Sequence, residues 1–313
     1  MSLRTLVTAG GLAVLALVCL PSVAHAWTPG THVFLGESVL ANLAQLPAAV
    51  ADLLRAYPYD FLYGNIAADT SMAKKYAPVG RHCHSWHVGQ EILDRADTPG
   101  LRAFGWGYLA HLAADTVAHN YFVPRQLVVT STTLALGHTY WESRFETHLG
   151  QHYARTAMDV IRFDHAVADG HLDRILSPTI FSVRTSRRLF RGMVGLTETQ
   201  SWQRAFQVLA DTSRWDLRAP TVERHMALSF EFVMRMLSDQ GGLTRTLDPS
   251  GEAALGLAKR MRLDVMRNRL PRDRRQLSVL AGRHFGLPRH ALDFWEDSDA
   301  QRPWLNGNGN GRQ

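Results

Sequence analysis

Apolar residues recur along most of the chain at steps of three and four rather than in alternation, as in Val39-Leu40-Leu43, Leu149-Tyr153-Met158 and Met226-Phe230-Phe232-Met236. That spacing gathers them on one face of a helix, whereas a half-buried strand needs a period of two. Helices are therefore predicted over roughly 31–45, 48–56, 86–97, 101–119, 138–162, 199–212, 220–238, 250–268 and 288–296. Pro47, Pro58, Pro124, Gly241-Gly242 and Pro271 read as breakers between them. Leu127 to Thr133 leans toward β but falls between two predicted helices and reads as a connecting loop. No internal repeat is present, and the pattern predicts an all-α fold with a single multi-helix domain.

The ends change the picture. Met1 to Ala26 carries an early charge at Arg4, an apolar run from Leu12 to Leu20 and the small-residue ending Ala24-His25-Ala26, which is the form of a secretory signal peptide cleaved after Ala26. The apolar run is shorter than the ~20 residues of a spanning helix. Cys19 follows Leu17 and Val18 rather than a small residue, so a lipid anchor is not expected. A secreted or periplasmic chain starting at Trp27 is the expectation, with Cys83 as its one thiol and no internal disulfide. The domain is expected to span 27–305, with the chemistry in 27–150 and a helical scaffold in 151–305. The Asn- and Gly-rich tail 306–313 has no means of burying surface and is expected to be disordered. The net charge of +6 suits anionic partners such as phosphate substrates, membranes or nucleic acid, but arginines scattered over solvated helix faces are the simpler account of it.

Nine of the fifteen histidines lie between His32 and His152, which places the candidate chemistry in the first half. In His111-Leu-Ala-Ala-Asp115-Thr-Val-Ala-His119, four-residue steps advance only ~40° around a helix, so three ligand-type side chains share a stripe. A lone His-x-x-x-Asp is commonly a surface pair. Three such residues among Leu109, Leu112 and Val117 point instead to a buried set that a cation would neutralise. His138 and Glu142 form a second one-turn pair, and His32, Asp69 and the run His82-Cys83-His84-Ser85-Trp86-His87 supply further candidates. His82 and His87 read equally as solvent-exposed turn residues, and Cys83 as a small buried thiol.

In this order, from Trp27 to about Glu146, the segments resemble the bacterial zinc-dependent phospholipase C family. The resemblance implies two to three zinc ions. One would be held by Trp27 (through its freed α-amino nitrogen and carbonyl oxygen), His32 and Asp69, a second by His84, His111 and Asp115, and a third by His119, His138 and Glu142; a shift from His84 to His82 stays open. It also implies that Asp69 is the general base or water-orienting group, since zinc lowers the pKa of a bound water toward ~7 and neutralises charge on phosphoryl oxygens. Two departures stand out. The four-residue step from Asp115 to His119 is similar to the glycosylphosphatidylinositol-specific phospholipase D branch, and the short interval from Trp27 to His32 is similar to the single-strand-specific zinc nucleases.

The leading expectation is thus a phosphodiester hydrolase, a phospholipase C that cleaves glycerophospholipids at a membrane surface to diacylglycerol and a phosphorylated headgroup. Two alternatives are a secreted single-strand nuclease or nucleotidase acting on nucleic acid, and a zinc-stabilised binding protein without catalysis. No protein partner is implied. Trp86, Trp106, Tyr121 and Trp141 flank the ligand candidates and read either as a cation–π pocket for a quaternary ammonium headgroup or as core. Glu146 reads as a group orienting a histidine or as a solvent-facing carboxylate.

Overall fold

The computed structural model describes residues 27–72, 74–78, 80–133, 137–197, 204, 206–208, 210, 212–239 and 241–305. The expected signal peptide at 1–26, the tail at 306–313 and most of the helix expected at 199–212 lie outside the described residues. Within them the chain forms α1 (Pro29–Ala41), α2 (Ala48–Ala56), α3 (Pro58–Ala67), α4 (Trp86–Asp94), α5 (Pro99–Val117), α6 (Val123–Val129), α7 (His138–Glu146) and α8 (Gln151–Arg162). The remaining helices are α9 (Ala166–Ile175), α10 (Val183–Thr197), α11 (Ala219–Asp239), α12 (Glu252–Met266), α13 (Arg274–Phe285) and α14 (Asp293–Glu296). No strand occurs among the described residues, and the fold is all-α. No described helix is long and apolar enough to cross a membrane.

Everything is arranged around α5. Its residues from Leu101 to Val117 are buried almost all the way round, as expected of a helix surrounded by others rather than laid on a surface. α3, α4 and α11 pack directly on it, so the second half of the chain shares one core with the first. Thr98 caps the start of α5 by accepting from the Leu101 amide, and Pro99 needs no partner for the amide hydrogen it lacks. The closest approach is between α3 and α5: a Cβ at Gly64 would stand 2.2 Å from the Phe104 carbonyl oxygen, and one at Gly107 2.1 Å from that of Phe61. Only two glycines let these backbones meet, and the contact carries Asn65 and Asp69 toward His111.

Several elements differ from the sequence expectation. Pro58 sits in the first turn of α3 and starts that helix, and Pro124 sits in the first turn of α6, which continues without a gap from the helical residues before it; neither breaks the chain. The stretch 127–133, expected as a loop, is helical to Val129: Val123, Leu127 and Val128 are buried against α12 and α13, and this burial outweighs the β-leaning of its valines. The helix expected over 138–162 is two, α7 and α8, separated at Gly150 with φ +85°. Unanticipated α9 and α13 carry short apolar rows at steps of three and four, Ala168-Leu172-Ile175 and Leu277-Ala281-Phe285, within polar text.

Candidate metal centre

The first of three adjoining donor groups joins His32 of α1 to His111 and Asp115 of α5, all fully buried. The His32 and His111 rings stack with centroids 3.9 Å apart. Asp115 faces three imidazoles at once: Oδ1 is 3.2 Å from His32 Nε2, and Oδ2 is 2.9 Å from His84 Nε2 and 3.2 Å from His111 Nε2. The second group is Asp69, His84 and His111, and the third is His119, His138 and Glu142; ligand atoms within each group lie inside 4.8 Å of one another. His111 belongs to two groups, and the His84 and His119 rings stand 6.2 Å apart, so the three form one continuous centre.

The partition implied by the family resemblance therefore appears for His119, His138 and Glu142, whereas His32 keeps company with His111 and Asp115, and Asp69 with His84. His84 rather than His82 reaches Asp115; His82 lies outside these three groups, its Nδ1 accepting from the His84 amide, within a further cluster with Cys83 and His84. Cys83 is buried with its sulfur 3.3 Å from His84 Nδ1. Trp27 is buried at the foot of α1, its indole donating to the Ala114 carbonyl next to Asp115, while its rings pack on Phe122 and Phe145. Glu146 lies against α1, where a Cβ on Gly30 would meet its carboxylate at 2.7 Å. Of the flanking aromatics, Trp141 is core, and Trp86 donates to the Leu247 carbonyl with Arg245 over its ring.

A local change of helix type separates His119 from the stripe it shares in sequence with His111 and Asp115. Residues Ala118–Phe122 form a π-helical turn, and the added residue per turn re-aims the side chains beyond Val117. His119 consequently faces His138, with ring planes perpendicular and centroids 5.2 Å apart.

Backbone carbonyls orient two of the imidazoles. His111 Nδ1 is 2.8 Å from the Asn65 oxygen and His119 Nδ1 is 2.6 Å from the Pro249 oxygen. A carbonyl can only accept, so each Nδ1 carries the proton and each Nε2 presents a lone pair to its donor group. Pro249 belongs to the second half of the chain, which the sequence pattern marked as scaffold. The turn Asp248-Pro249-Ser250-Gly251 is a loop signal visible in the sequence, although nothing there ties it to His119. Gly251 has φ +60°, and a Cβ on it would stand 2.4 Å from the His119 Cβ and 2.6 Å from the His119 oxygen. Gly251→Ala is therefore expected to push the turn off His119, lowering stability by about 2 kcal/mol or more and weakening zinc retention. Thermal melts with and without zinc would measure both effects.

Electrostatics argue for cations. Asp69, Asp115 and Glu142 are each 0–1% exposed. Burial and the neighbouring Asp69 and Asp115 carboxylates push the Glu142 carboxyl well above the usual carboxylate range. Burial alone would raise Asp115 too, but the imidazoles of His111, His32 and His84 more than reverse this and hold it well below that range. Desolvation pulls His32 and His119 down to about 4, leaving both neutral and able to donate a lone pair at pH 7. Among the described residues neither carboxylate oxygen of Asp115 or Glu142 makes a properly aligned hydrogen bond, although imidazole nitrogens stand 2.6 to 3.2 Å away. Such atoms converge on shared points rather than on each other, which fits a divalent cation between them. Lys74, which sequence spacing gave no reason to notice, brings its ammonium 2.7 Å from Asp69 Oδ1 and 3.4 Å from His84 Nε2.

Compared with known proteins, the chain matches the family model described as zinc dependent phospholipase C over residues 31–180. No curated protein and no solved structure matches it. Every side chain of the three donor groups falls within that matched stretch, so it is over residues 31–180, where the donors lie, that the chain is similar to the zinc-dependent phospholipase C family.

Proposed function

We propose that the protein is a phosphodiester hydrolase of the phospholipase C type. It cleaves glycerophospholipids at a membrane surface to diacylglycerol and a phosphorylated headgroup. The observation that carries this reading is the convergence of His32, Asp69, His84, His111, Asp115, His119, His138 and Glu142 into adjoining groups with the donor chemistry of zinc, inside the family segment. Zinc, two or three ions when bound, would supply a water of lowered pKa and neutralise charge on the phosphoryl oxygens.

The chain's own residues do the rest. Asn65 and Pro249 fix the His111 and His119 tautomers through their carbonyl oxygens. Asp69 is assigned as the base: its carboxylate takes the proton of the attacking water as a new P–O bond forms, and the bond to the glycerol oxygen breaks. That proton then passes to the departing oxygen, so the products are a neutral diacylglycerol and a phosphate monoester. Tyr108 braces the strand of chain that carries His84 by donating to the Cys83 carbonyl. The same reading puts the protein outside the cytoplasm, where removal of Met1–Ala26 would free the Trp27 nitrogen as a further candidate donor.

The test is hydrolysis by the purified mature protein of phosphatidylcholine vesicles and, separately, of single-stranded DNA, each with and without a chelator. Chelator-sensitive release of diacylglycerol is expected. Nuclease activity without lipid cleavage would replace the substrate assignment, and zinc uptake with neither activity would reduce the protein to a metal-stabilised binding module.

A further inference from the structure

A cation already stands at one of the three donor groups. The Lys74 ammonium lies 2.7 Å from Asp69 Oδ1 and 3.4 Å from His84 Nε2, and these two residues together with His111 make up the second group. Its side chain is only 15% exposed, and Asp69 is fully buried. The contact is a charge-assisted one, a lysine ammonium against a buried carboxylate. Hence the ammonium neutralises the Asp69 carboxylate where a divalent ion would otherwise do so. The first and third groups differ: there the facing partners of Asp115 and Glu142 are imidazoles, which ligate a metal without having to leave.

We propose that Lys74 is a resident counter-ion of the Asp69/His84/His111 group, so that an ion entering this group must first displace the ammonium. The group then fills last and holds its zinc most weakly, and the protein passes between a form with Lys74 seated and a more fully loaded form with Lys74 turned outward. Two effects set the direction. A charge-assisted contact between buried partners is lost on loading, and the displaced ammonium, tethered a few ångströms away, still repels the divalent ion. Both weaken binding at this group most, and least at the third, which shares no ligand with it. The position on the chain suits such a role: Lys74 begins a short 3₁₀ turn, Lys74–Tyr76, beyond Asp69, and its side chain sits at the edge of the core rather than inside a helix.

This inference rests on the metal-binding part of the proposed function and on nothing about the substrate. It is tested by zinc titration of the purified protein against a graded series of competing chelator, with bound zinc read by elemental analysis, together with thermal melts of the chelator-stripped form. Wild type is expected to hold one ion more weakly than the rest. Lys74→Met and Lys74→Gln are both expected to tighten that ion by about ten- to a hundred-fold, the range set by a hydrogen bond to a charged group. They should also lower the melting temperature of the stripped protein, because Asp69 is left buried without its ammonium. Unchanged affinity in both variants, or weaker binding in a variant that still melts cooperatively, overturns the proposal. Wild-type protein that takes up no zinc at all would instead defeat the metal-binding reading itself.

Discussion

Asp115→Asn is expected to lower zinc-dependent hydrolysis by at least about 10³-fold, roughly 4 kcal/mol in the barrier, and to release at least one zinc ion. The size of the effect comes from how many partners one carboxylate serves. Its two oxygens stand within 3.2 Å of His32, His84 and His111, which together belong to two of the three donor groups. Asparagine has nearly the same shape, so the packing of α5 should survive. Its amide is a poor zinc ligand and carries no charge to offset a divalent ion. Removing one partner from a buried charged set costs more than the set contributes as a whole, because the remaining groups keep their desolvation cost. Elemental analysis, activity and a circular dichroism melt on the same preparation separate the outcomes. Full zinc content with wild-type turnover would remove Asp115 from the centre.

The sequence carried the chemistry of this centre more plainly than its geometry. Four-residue steps along an α-helix made His111 and Asp115 legible as neighbours, and the same arithmetic made His138 and Glu142 a pair. It also set His119 on the His111 stripe, where regular α-geometry would keep it. The π-turn at 118–122 breaks that regularity directly ahead of Pro124, whose ring and missing amide hydrogen a regular turn does not accommodate; α6 and the 248–251 turn against His119 pack around it. Prolines were misleading for a related reason. Pro58 closes off the helix upstream and begins the next, whereas Pro124 lies inside a helical run that reaches it unbroken through the π-turn, and in both cases the residues after the proline find a buried face. For Lys74, Asn65 and Pro249 no sequence signal existed, since each acts through a contact that only the tertiary fold creates. A lysine five residues after an aspartate has no fixed relation to it outside a helix, and a carbonyl that orients an imidazole leaves no trace in residue identity.

Removing the metal is expected to lower the melting temperature by roughly 10 °C or more. Zinc at a thousand times its dissociation constant contributes about 4 kcal/mol per site, and each kcal/mol moves a domain of this size by about 2–4 °C. The more discriminating result concerns Glu142 in the stripped protein. Burial and the Asp69 and Asp115 carboxylates raise its pKa well above 4.5, so the folded state binds this proton more tightly than the unfolded chain does. The stability this provides is fully present below the ordinary carboxylate value and is lost as pH rises through the raised one. Glu142→Gln abolishes that loss. At pH 7 and above, where His32 and His119 are neutral in the folded chain and mostly neutral in the unfolded one, the metal-free variant should melt higher than metal-free wild type. With zinc the order should reverse, because the carboxylate that burdens the empty centre is the ligand that a cation needs at His119 and His138. Melts of both proteins with zinc and with chelator, from pH 5 to 8, display the crossing. If Glu142→Gln is the less stable protein in both states throughout that range, Glu142 is a structural carboxylate held by a protein partner and the third donor group is not a metal site.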